Sequence, residues 1–167
     1  MTPRDRQRSK VYGAEQFVRT LFDRAAEHGN QVVEFFGAQL TLPPEARFAS
    51  VSSVQRYVDE VLAHPAVRQR WPAALPLAVR ARRGAAAAHY EWTGDGEAVI
   101  AVPDRYATWA LRELVVLHEV AHHLCRAEPA HGPEFATTMC ELADAVMAPE
   151  VGHVLRVVYV KEGVRLG

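Results

Sequence analysis

The spacing of apolar positions changes several times along the chain, and each change marks an element. Over residues 12–28 the apolar side chains fall at Ala14, Phe17, Val18, Leu21, Phe22 and Ala25, the three-and-four spacing of a helix with one buried face. Gly29-Asn30 ends it. Residues 31–42 are instead rich in β-formers. They read as one strand, or as two broken at Gly37, stopped by Pro43-Pro44. Helical spacing returns over residues 50–67, with Val54, Tyr57, Val58, Val61 and Leu62 on one face, serines able to cap the start and Pro65 marking the end. Residues 71–76 read as a loop, and 77–83 as a weakly alternating edge strand. Two β-prone runs, 85–92 and 97–102, flank Thr93-Gly94-Asp95-Gly96 and predict a hairpin. A long helix follows over about residues 107–126, with Ala110, Leu114, Leu117, Ala121 and Leu124 as its core face. Residues 126–130 break it. Pro133 and Glu134 then suit the first turn of another helix, whose apolar stripe is Phe135, Met139, Leu142 and Val146.

This mixture of helices and short strands predicts an α+β fold. At 167 residues the chain fits a single domain over residues 11–167, preceded by a flexible basic arm over residues 1–10 that carries Arg4, Arg6, Arg8 and Lys10. A formal net charge of −1 gives no global attraction to nucleic acid or anionic membrane, and leaves only local clusters such as Arg80, Arg82 and Arg83. The first ten residues hold no apolar signal core, and no apolar run is long enough to span a bilayer. Two cysteines, Cys125 and Cys140, make no disulfide framework, so a reducing cytoplasmic setting is expected.

The chemistry concentrates in residues 111–135, LRELVVLHEVAHHLCRAEPAHGPEF, where four of the eight histidines fall. The spacing H-E-x-x-H is met by His118, Glu119 and His122. Each helical residue turns about 100°, so the two histidines lie about 40° apart around the axis and one turn apart along it. Both rings reach one ion from the same face, and Glu119 borders that sector as a base. Two histidines alone do not hold a catalytic zinc, which takes three protein ligands and leaves a position for water. A residue further along the same helix, such as Cys125, climbs about 10 Å away. The chain must therefore leave the helix and return. His131 follows the break and opens the next helix, and Glu134 and Glu141 on that helix are the competing third ligands. Glu128 has the metzincin offset, but that pattern needs glycine where Cys125 stands. His123 points away from His118 and reads as a supporting or surface residue.

H-E-V-A-H followed by H-G-P-E-F resembles the SprT-like (Spartan-type) zinc metalloproteases, over about residues 107–145. The layout is similar to a minimal zincin fold of the minigluzincin type: a small antiparallel sheet against an HExxH helix and further helices. The whole chain is similar to a bacterial family of HExxH metallohydrolases. The resemblance implies Zn2+ held by His118, His122 and His131, Glu119 as catalytic base, and a peptide or protein substrate. It does not extend to the C-x-x-C zinc ribbon of many SprT-like proteins, since Cys125 and Cys140 are the only cysteines. The expected activity is zinc-dependent hydrolysis, with Tyr90, Tyr106, His123 and Arg126 as candidate oxyanion stabilisers. The strand over residues 97–102, or its hairpin partner, would offer an edge to an extended peptide. The alternative is a non-catalytic zinc-containing module that binds nucleic acid or a protein partner.

Overall fold

The structure, a computed structural model, describes residues 1–83, 87–103 and 111–167. Among these, six helices and five strands form an α+β fold in the order α1 (Arg8–His28), β1 (Val32–Phe35), β2 (Ala38–Thr41), α2 (Val51–Ala63), α3 (Pro65–Arg70), β3 (Ala78–Arg82), β4 (His89–Trp92), β5 (Ala98–Pro103), α4 (Glu113–Leu124), α5 (Pro133–Val146) and α6 (Pro149–Lys161). The chain gathers into two compact units, one of residues 1–45 with 125–167 and the other of residues 46–124. No helix among the described residues is long and apolar enough to cross a membrane.

The first unit is built on α1, α5 and α6. The predicted stripe of α1 is buried at Ala14, Val18, Leu21, Phe22 and Ala25, with Val11 added, because the helix starts at Arg8. Phe17 is the exception: it is 41% exposed, one position off the line of spacing that the core selects. In α5, Phe135, Met139 and Leu142 are buried as expected, while Val146, the last of the predicted stripe, is only half-buried. Helix α6 lies in a stretch for which no element was expected. Its buried Val151, Val154, Leu155, Val158 and Tyr159 nevertheless follow the same three-and-four spacing. Tyr159 is wholly buried and donates its hydroxyl proton to Glu15 at 3.1 Å. Burial pushes its phenol well above the ordinary value. The β-rich run resolves into two strands: β1 and β2 form a hairpin whose two-residue turn, Phe36-Gly37, has positive φ at both positions (46° and 82°). That turn conformation matches the natural strand twist, and glycine adopts it without strain.

The second unit carries a three-stranded sheet in the order β3-β5-β4. The predicted hairpin of β4 and β5 is present and antiparallel, but β3 runs parallel to β5. The sheet is therefore mixed rather than antiparallel throughout. The chain lays down the two edges first and returns through the hairpin to fill the centre. The centre explains the composition of β5: Ala98, Ile100, Ala101 and Val102 are buried. The edge strand β3 is clamped by α2, where Gln55 accepts from the Val79 N–H (2.7 Å) and donates to the Leu77 carbonyl (3.0 Å). Ser50 caps α2 by accepting from Ser53 N–H, while Ser53 reaches back to the Ser50 N–H. This reciprocal pair satisfies two of the helix's orphan donors. His64 ends α2, one residue before the Pro65 expected to mark the helix end, and caps the short α3 that follows.

Candidate metal centre

Helix α4 is the helix expected to carry the chemistry. Its predicted opening over residues 107–110, Ala110 of its core face, the start of the first hairpin run (residues 85 and 86) and the oxyanion candidate Tyr106 lie outside the described residues. Every residue from Glu113 to Ala121 is buried, so the core stripe is wider than a single face. Leu124, at the end, is only half-buried. The start of the helix is tied down by a buried carboxylate. Glu113 accepts from the Ala46 N–H at 3.1 Å and from the Tyr57 hydroxyl, while its own N–H donates to the Ala46 carbonyl at 3.0 Å. One link earlier, Phe48 N–H donates to the Leu111 carbonyl at 2.9 Å. Glu113 is a positioning residue that spacing alone does not reveal, since its partners stand 56 and 67 positions away.

His118 and His122 sit one turn apart, as the spacing requires, with their Nε2 atoms 3.2 Å apart. Two ring nitrogens this close could be shared by one ion. Glu119 is buried beside them at 6% exposure. His123 is buried rather than on the surface. Its Nε2 lies 2.6 Å from the Leu75 carbonyl and its Nδ1 3.1 Å from the Tyr90 hydroxyl. A carbonyl only accepts, so Nε2 carries the proton and Nδ1 accepts from Tyr90. The Tyr90 ring also lies nearly parallel to His122, at 15° and 6.4 Å between centroids.

His131 is held from the other side of the break. It is buried, with its ring against Tyr12 (5.2 Å) and Phe135 (5.1 Å). Its Nδ1 lies 2.7 Å from Asp5 Oδ2, and its carbonyl accepts from Gln7 Nε2 at 3.1 Å. Among the described residues, His118, His122 and His131 are the group of side chains that could hold an ion; the first two belong to the second unit and His131 to the first. Glu134 and Glu141, the rival third ligands, do not belong to this group, nor do the two free cysteines. Cys140 is buried, and burial pushes its thiol up to about 12. Three neutral imidazoles are a donor set suited to zinc. Asp5, which the sequence placed in a solvated arm, is the residue of this constellation that spacing did not reveal.

The Arg80–Arg83 cluster has a different setting. Arg80 pairs with Glu91 at 2.6 Å, and the Arg80 guanidinium holds the Glu91 carboxyl below its usual value. Arg82 donates to the Ala87 carbonyl at 2.8 Å. No family model, curated protein or solved structure matches the chain.

Proposed function

We propose that this protein is a zinc-dependent metallohydrolase that cleaves peptide bonds, with His118, His122 and His131 as ligands and Glu119 as general base. The observation that carries the reading is the pair of His118 and His122 ring nitrogens 3.2 Å apart on one helix, with a buried glutamate next in sequence to the first of them. Zinc, when bound, supplies Lewis acidity toward a carbonyl and toward water. Glu119 takes one proton from the attacking water on a carboxylate oxygen. The water oxygen bonds to the carbonyl carbon, the carbon–nitrogen bond breaks, and Glu119 returns the proton to the leaving amine. Tyr90 and His123 hold the wall beside His122.

Among the described residues, the hairpin edge open to an extended substrate is β4, since β5 is paired on both sides. A peptide added to β4 would run past Tyr90, near His122. On this reading the chain is a SprT-like, zincin-type domain, and its free thiols suit a cytoplasmic setting. The rival reading, a zinc-containing binding module, gives Glu119 no catalytic task, and Arg80 and Arg82 of its basic cluster are engaged with Glu91 and backbone. Replacement Glu119→Gln tests the mechanism. Zinc content is expected to stay at the wild-type level while peptide hydrolysis falls by about 10²–10⁴-fold. Hydrolysis at the wild-type rate in that variant would overturn the assignment.

A further inference from the structure

Neutral histidine binds a metal through one nitrogen, and a partner on the other nitrogen fixes which one. For His131 that partner is Asp5, 126 positions earlier, with Oδ2 at 2.7 Å from Nδ1. A carboxylate only accepts, so Nδ1 carries the proton and Nε2 carries the lone pair that an ion would take. The ring has little room to turn, because Tyr12 and Phe135 pack against it and its side chain is only 7% exposed. The backbone is held as well. Gln7 donates to the His131 carbonyl (3.1 Å) and to the Arg165 carbonyl (3.3 Å), and accepts from the Arg165 N–H at 2.6 Å. The segment before α1 therefore fixes both the ring and the main chain of one histidine.

We propose that Asp5 is a positioning residue for the metal centre: it sets the tautomer and the aim of His131, so that zinc affinity depends on the first seven residues of the chain. This rests on the metallohydrolase reading of the three histidines, though not on turnover. Partners of this kind are worth about 10–100-fold in metal affinity.

The test is zinc affinity, measured by chelator competition on the full chain, for the wild type, Asp5→Ala and Asp5→Asn. Asp5→Ala should weaken zinc binding about 10–100-fold. Asp5→Asn keeps an accepting oxygen and should recover part of that loss. Melting of the metal-free proteins, measured alongside, separates positioning from a contribution to folding. Equal affinity in the wild type and Asp5→Ala would overturn the inference and leave the metallohydrolase reading standing. Affinity that falls only in step with metal-free stability would also overturn it. A wild-type protein that takes up no zinc would overturn the reading and the inference together.

Discussion

A histidine ring has two nitrogens, and what one of them binds decides what the other can do. His123 shows the structural use of this. Its protonated Nε2 faces the Leu75 carbonyl and its Nδ1 accepts from Tyr90, so both nitrogens serve the fold. Tyr90 directs its hydroxyl proton at His123, which ties the strand β4 to the helix α4. Replacing His123 with alanine should cost roughly 1–3 kcal/mol, read by urea denaturation, because it strips the hydrogen bonds of partly buried groups. An unchanged midpoint would show that these bonds add nothing net. His118, His122 and Glu119 were legible in the sequence because their relation is helical and local. The settings of His123, His131 and Glu113 were not, because their partners lie 33 to 126 positions away, where no periodicity reaches.

At the scale of elements, pattern served well where burial is one-sided. The stripes of α1 and α5, the β1–β2 break at Gly37 and the β4–β5 hairpin all follow from spacing and turn chemistry. Strand direction did not follow, because alternation in a strand is the same whichever way its neighbour runs; the parallel pairing of β3 is a matter of topology. Helix α6 had its signal in Pro149, Glu150 and the buried spacing that follows. Its approach to α5 depends on Gly152, where a Cβ would lie 1.7 Å from Asp144 Oδ1 and 2.9 Å from the Cys140 carbonyl. Asp144 has little freedom to yield, since Arg156 grips both of its oxygens. The variant Gly152→Ala should therefore lose about 1–3 kcal/mol of stability through overpacking, seen as a lowered denaturation midpoint. A stability equal to wild type would show that the two helices separate without cost.

For the whole molecule, the α+β mixture was readable in the sequence, and a net charge of −1 gave no general attraction to polyanions. The chemistry was readable because it sits in one stretch, residues 111–135, which carries all three candidate ligands, His118, His122 and His131. What the pattern did not disclose is the hold on the third of them, which comes from the first residues of the chain. The proposed activity rests on that trio. The most direct measurement is anomalous scattering at the zinc edge from crystals grown with zinc, together with the metal content of the purified protein. One zinc per chain is expected, bonded at about 2.0–2.1 Å to ring nitrogens of His118, His122 and His131. An absence of zinc, or a zinc held without His131 and with Glu134 or Glu141 in its place, would contradict the account.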